Sequence, residues 1–360
     1  MILLDGSHRT VLFRLEWWPA RSQLWKGMQK TLYVLVLLVS NIANAASFDC
    51  AKAKTPQEKA ICTDPALSAA DDEMAAAYRA ALAVAPKEMV AEIREGQRAW
   101  VRSAASRCPC SAYAATSGLA LCLKYYENDR TRVLRNMIVQ KSGITFVWKT
   151  LILSEPGSRS VDGSKAEDSG DNSGPGTLNA SWPEAMDGSP EWQAWNKAMD
   201  AAVPKDLAPD TDIDFTAALG HVTASLVTAT MDDTEFGHMA AHPNTNSIQF
   251  NWLLKQQRRL RADDVFLSDS GWDSEIQERC EKSLRKELGA DYESYLERAE
   301  MAKVLHDIVI KPENWELTKD GLAVIFPVYA VACRACTPRP VKILWSDLRP
   351  FLKPDFEIRN

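Results

Sequence analysis

The chain has 360 residues, 42 of them basic and 48 acidic, for a formal net charge of −6. That balance excludes the basic footprint a nucleic-acid binder requires. Its eight cysteines raise a question of compartment, because an even set reads as a disulfide framework after export and as metal or redox chemistry in the cytosol.

Residues 1–27 hold scattered charge and three tryptophans without periodicity, and are read as an upstream extension ahead of Met28. "MQKTLYVLVLLVSNIANAAS" follows, with a basic start at Lys30 and an apolar run from Leu32 to Val39. It closes on Ala43-Asn44-Ala45, the small-x-small pattern a leader peptidase accepts. The apolar run is shorter than the roughly 20 residues of a membrane span, so 28–45 is expected to be a signal peptide cleaved near Ala45. Ser47-Phe48-Asp49, before Cys50, does not form a lipid-attachment box. The expected mature chain therefore starts at Ala46, is soluble without a stable membrane anchor, and is periplasmic or secreted. All eight cysteines (Cys50, Cys62, Cys108, Cys110, Cys122, Cys280, Cys333 and Cys336) lie beyond the cut. Losing 1–45 removes five basic and two acidic residues and leaves 37 against 46, a net charge of −9. Such a chain suits a cationic partner.

Residues 46–138 read as all helix. Ser68 is a good N-cap for a helix running to about Ala85, with Asp71 and Asp72 at the positive end of its dipole. Leu67, Met74, Tyr78 and Leu82 give it one apolar face. Pro86 ends that helix and opens a second, whose face carries Met89, Ile93, Gln97 and Trp100. A third helix is expected from about Leu121 to Ile138. Three short helices bury too little to be stable alone, and disulfides are the usual remedy. A Cys50–Cys62 bridge would pin the first segment, and one from Cys108 or Cys110 to Cys122 would close the loop between helices two and three. Each would contribute roughly 3 kcal/mol through loop-closure entropy. Eight cysteines allow 105 connectivities, so spacing leaves the pairing open.

The boundary is placed near Gln140. From 140 to 360 the pattern is α+β with an antiparallel sheet. "ITFVWKTLIL" reads as a strand, and Ser154–Thr177, rich in Gly, Ser and Asp, reads as a long flexible loop within this second module. "HVTASLVTAT" and "NSIQFNWLL" alternate like strands. "WELTKDGLAVIFPVYAV" is expected to form two strands about an Asp320-Gly321 turn. Helical stretches fall at "SPEWQAWNKAMDAAV", "DSEIQERCEKSLRKEL", "DYESYLERAEMAKVLHDIV" and "WSDLRPFL".

The opening motif carries a resemblance. Phe48-Asp49-Cys50 with Ala53, then Glu58 and Ile61-Cys62, then Asp64-Pro65, Leu67, Asp71 and Tyr78, is similar to the LprI-type lysozyme inhibitor family. Gln97-Arg98 with Trp100, and Cys122-Leu123 with Arg130, continue the pattern over about residues 46–138. One departure is Arg107-Cys108-Pro109-Cys110, a residue longer than the family's spacing, which leaves open whether Cys108 or Cys110 takes the family bridge. Residues 140–360 resemble the domain found outside the membrane in RsiV-type anti-sigma factors and beside some peptidoglycan deacetylases. Gly237, Ala241, His242, Asp264 and Phe266 carry that likeness, together with the "WELTKDGLAVIFPVYAV" and "VKILWSDLRPFLKP" segments. The segment from Leu153 to Thr177 and the pair Cys333/Cys336 are additions to it. RsiV-type domains sense lysozyme by binding it, so the two resemblances imply the same partner.

Other constellations have plainer readings. His238 and His242 have zinc spacing, but sit in a loop-like "FGHMAAHPN"; His242 is read as capping that loop. Cys333 and Cys336 are read as a structural bridge, with Cys280 as a competing thiol. Asp71/Asp72, Asp232/Asp233 and Asp263/Asp264 read as helix starts or turns rather than acid/base dyads. Trp192, Trp195, Trp252, Trp315 and Trp345 could stack sugars, but are expected mostly in the core. No catalytic set or cofactor motif is visible. The implied function is lysozyme binding that blocks the enzyme's cleft, with the loops Pro109–Thr116 and Asp232–Asn246 as candidate contacts. The alternative is a module that binds peptidoglycan through surface aromatics.

Overall fold

A computed structural model describes residues 46–108, 118–154, 176–207, 211–237, 240–295 and 298–356. The expected extension and leader lie outside these residues, as do Cys110, His238 and the loop 109–116.

The helical region begins with a single 3-10 turn, Cys50–Lys52, and then α1 (Pro56–Thr63), α2 (Pro65–Val84), α3 (Val90–Arg107) and α4 (Gly118–Arg135). The starts of α1 and α2 are set by side chains that satisfy orphan backbone N–H groups. Thr55 and Glu58 form a capping box on α1, and Pro56 occupies the first turn, where its missing N–H costs nothing. Asp64 caps α2 by accepting from Ala66 N and Leu67 N. That corrects the expectation of Ser68 as the cap. Ser68 is buried one turn inside the helix, because Asp64 followed by Pro65 supplies a stronger start. The third long helix ends at Arg135, and Ile138–Lys141 forms strand β1. Its β-branched pair Ile138-Val139 prefers the sheet.

The main sheet has seven strands in sequence order: β1, β2 (Ile144–Ser154), β3 (Thr177–Ala185), β4 (Thr211–Val222), β5 (Leu226–Gly237), β6 (Asn244–Leu253) and β7 (Arg258–Arg259). All neighbours pair antiparallel except β3 and β4, which are parallel. Their crossover is α5 (Pro190–Ala202). Strands β2 and β3 pair as far as Ser154 with Thr177, so the Gly/Ser-rich segment connects two adjacent strands.

Helix α5 covers one face of this sheet with Trp192, Trp195 and Met199. Trp195 is fully buried and packs edge-on to Phe146 and Trp192. A second core lies beyond β6. It joins α7 (Trp272–Leu288), α8 (Ala290–Tyr295) and α9 (Arg298–Val309) to a three-stranded sheet, β8 (Trp315–Leu317), β9 (Gly321–Val324) and β10 (Val341–Leu344). Phe266 anchors it, stacked on Trp272 and edge-on to Trp315. The Asp320-Gly321 hairpin forms as expected, but strand β9 ends at Val324, and "PVYAV" beyond it is irregular.

Helix α3 packs across β2. A β-carbon at Gly96 would collide with Thr150 Oγ1, so glycine is what lets the helix approach the strand. Lys149 on β2 pairs with Glu92 of α3 at 3.3 Å and with Glu184 of β3 at 3.2 Å. Burial alone would lower its pKa, but these two carboxylates outweigh it and the net shift is upward. Met74, Ile93, Leu134, Met137 and Val147 form one apolar cluster that runs from the helices into the sheet.

Candidate functional site

Three bridges are present among the described residues. Cys50–Cys62 and Cys108–Cys122 both lie at the end of the helical region where Ile61, Leu67 and Leu123 cluster, and Cys333–Cys336 closes a single 3-10 turn. Cys108, not its neighbour two residues on, takes the bridge to Cys122. Cys280 is a free thiol in the core of α7, its pKa pushed up to about 12 by burial, so it does not compete for the Cys333–Cys336 pair.

The motif residues divide by task. Asp49 accepts from Ala51 N and holds the first turn. Glu58, Asp64 and Pro65 set the starts of α1 and α2 as described. Gln97, Trp100 and Arg130 act between helices. Arg130 is 3% exposed, and its Nε donates to Gln97 Oε1 at 2.9 Å. Gln97 Nε2 in turn donates to Met74 Sδ at 3.8 Å. The three residues clip α2, α3 and α4 together. Burial lowers the Arg130 pKa to about 10, while Asp129 and Tyr78 oppose that shift. The guanidinium therefore stays charged at neutral pH, with Nη2 unpartnered.

Asp71 corrects its sequence reading. It is 4% exposed, in the interior of α2, where Oδ2 accepts from Ser47 N at 2.7 Å. Opposite it on α4 lies Glu127, also buried, whose Oε2 has no hydrogen-bond partner. Burial first, and then the Asp71 charge, raise the Glu127 pKa to about 8.

Between α3, α4 and the outer face of β2–β4 lies a cleft of about 420 Å³. Period-two alternation builds its floor. Ala180 and Phe215 point into the core beneath α5, while Thr150, Ser181 and Thr216 form one register row on the other face. Ile152, Asn179 and Asp214 form the next row, with Asn179 Nδ2 donating to Asp214 Oδ1 at 3.2 Å. Trp100, Tyr125 and Tyr126 supply the aromatic wall, with Asp129 and Arg132 beside them. Tyr125 is 71% exposed, and Leu121 one turn before it 70%. Such a cleft can stack a ring against aromatics while hydroxyl, amide and carboxylate groups hydrogen-bond its edge. Tyr125 and Tyr126 were legible as helix residues, but the sheet that makes them a wall is remote in sequence.

The remaining candidates lie apart from this cleft. His242 is exposed, with Nδ1 3.3 Å from Pro243 O and Nε2 3.3 Å from Tyr329 Oη. Among the described residues no group of three His, Cys, Asp or Glu could hold a metal ion. Asp232–Asn246 is not a simple loop, because Asp232–Gly237 and Asn244–Asn246 are paired strand. The pairing of β5 with β6 runs on to Glu235 and Asn244. Asp263 and Asp264 lie in the first turn of the short helix α6 (Ala262–Val265), where Arg258 holds the Asp264 carboxyl below its usual range. Trp192, Trp195, Trp252 and Trp315 are core residues, and Trp345 packs edge-on to Phe356.

A disulfide-stapled helical region followed by a sheet-rich α+β region, mostly antiparallel, is thus the class of protein. Residues 50–134 match the family model described as lysozyme inhibitor LprI. No curated protein matches the chain. Crystal structures of DUF3298 family proteins from Pseudomonas aeruginosa PAO1 and Bacteroides fragilis are similar to it at 15% identity each. They cover 59% and 60% of this chain and 95% and 96% of their own, with TM-scores of 0.42 and 0.44.

Proposed function

We propose that this is an exported, non-catalytic protein that binds lysozyme-type muramidases and inhibits them by covering the substrate cleft. The observation that carries this reading is the LprI match over residues 50–134. Three disulfides agree with an oxidising compartment. No helix among the described residues is long and apolar enough to cross a membrane. The net charge of −9 expected beyond Ala45 would steer a cationic enzyme. The resemblance of 140–360 to RsiV-type domains supports the same partner.

The aromatic and hydroxyl-lined cleft favours a second reading, in which the chain binds the glycan of peptidoglycan itself. A lysis assay separates the two. Oxidised chain from Ala46, added to a c-type lysozyme acting on cell walls, is expected to stop lysis at low salt and less so at high salt. Unchanged lysis, with the chain co-sedimenting with sacculi and Tyr125→Ala abolishing that, would replace the first reading by the second.

A further inference from the structure

Among the described residues, the two buried carboxylates of the helical region lie close enough to repel and have no paired cation. Asp71 and Glu127 are 4% and 3% exposed. Ser68, three residues before Asp71 and so on the same helical face, is 2% exposed with Oγ unpartnered. Among the described residues no basic side chain couples to Glu127, and the charge of Arg130 is felt by Asp129 and Tyr78 instead. Arg130 turns its Nε to Gln97, and Lys59 on α1 is exposed. Glu58 is tied to its capping box. An ionised carboxylate left unpaired in such a place is costly, and the Glu127 pKa of about 8 records that cost.

The chain passing these carboxylates is the one the leader motif marks for cutting. Ser47 N lies 2.7 Å from Asp71 Oδ2, which places Ala46 N within about 7 Å of that oxygen by bond lengths alone. Ala46 itself is 5% exposed and packs with Ile61, Leu67 and Leu123. We propose that cleavage after Ala45 creates the missing cation, and that the α-ammonium of Ala46 is held by Asp71 and Glu127 as a buried ion pair that completes the helical region. In the step, water adds across the Ala45–Ala46 peptide bond, leaving a carboxylate on the released leader and an amine on Ala46 that takes up a proton. Its three N–H donors match acceptors that an amide N–H, with one donor and no charge, leaves unsatisfied. Export processing thereby stabilises the mature fold over the precursor. The inference rests on the leader reading, not on the identity of the partner that the mature protein binds.

The test uses the exported protein, with its first residue read by mass spectrometry and its α-amine labelled by an acylating reagent near neutral pH. An ion-paired amine with its pKa raised by one unit reacts about 10-fold more slowly than the same amine in the unfolded chain. Asp71→Asn/Glu127→Gln is expected to restore the fast rate. Should that variant not fold, a chain carrying one extra glycine before Ala46 gives the second readout, a lower Tm than the native end. Labelling of the folded chain at the unfolded rate, equal Tm with and without the added glycine, or a mature end other than Ala46 would each overturn the proposal.

Discussion

The helical region and the sheet region are held by different forces. Around α1–α4 the core is small. Ile61, Leu67, Cys108 and Leu123 form one cluster and Met74, Ile93, Leu134 and Met137 another, with two disulfides and a row of buried polar groups between and beside them. Beyond β2 the cores are large and aromatic, built on Trp195, Phe146, Phe266 and Trp315, and the one disulfide there closes a span of three residues. A region of helices with little apolar surface to bury depends on cross-links and, by the proposal above, on a buried ion pair. A twisted sheet covered by a helix does not.

The contrast can be broken at its strongest point first. Trp195→Ala should cost the sheet region about 3–5 kcal/mol, through loss of burial and the cavity left under α5. Chemical denaturation would show this, and the helical signal should fall in the same transition, because α3 is packed on β2. Next comes the Cys108→Ser/Cys122→Ser variant, expected to lose roughly 3 kcal/mol, whereas Cys333→Ser/Cys336→Ser, closing a far shorter loop, should lose less. Equal losses would contradict the contrast.

The seam between the regions gives a smaller effect. Gly96→Ala should destabilise by about 1–3 kcal/mol through collision with Thr150 Oγ1, and Thr150→Ala in the same chain should recover most of it. A double-mutant cycle measures the coupling. Glu127 offers a pH test. Its folded pKa is raised by burial and Asp71 to about 8, so its contribution is fully present below the unfolded value near 4.5 and is lost as pH rises towards 8. The groups facing it are Asp71 on α2 and, on its own helix, Arg130, which is turned towards Gln97. In a chain extended before Ala46, stability should therefore fall over that window, and Glu127→Gln should flatten the fall. The smallest change is at the surface, where Arg98→Ala, breaking an exposed pair with Glu95, should stay within about 0.5 kcal/mol.

Much of the fold was legible because local chemistry dictated it. Thr55 with Glu58 and Asp64 with Pro65 are start signals that need nothing distant. Alternation along β5 and β6, and the Asp320-Gly321 turn, are equally local. Ser68 was misread as a cap because a serine before an apolar face has the right chemistry, while Asp64 four residues earlier had already begun the helix. Asp71 was misread because a carboxylate in the first turns of a helix is usually solvated, and only the return of α4 buries it. The cleft was hidden for the same reason. Trp100 and Tyr125 belong to helix faces in the sequence, and only the fold that sets them around one cleft with Thr150, Ser181 and Thr216 makes them a wall.

The central claim is that residues 50–134 engage a lysozyme-type enzyme. The direct measurement is backbone hydrogen exchange of the oxidised chain from Ala46, with and without an excess of a c-type lysozyme at low salt. The account predicts slower exchange concentrated in surface segments of α1–α4. No change anywhere, or slowing confined to residues 177–356, would contradict it.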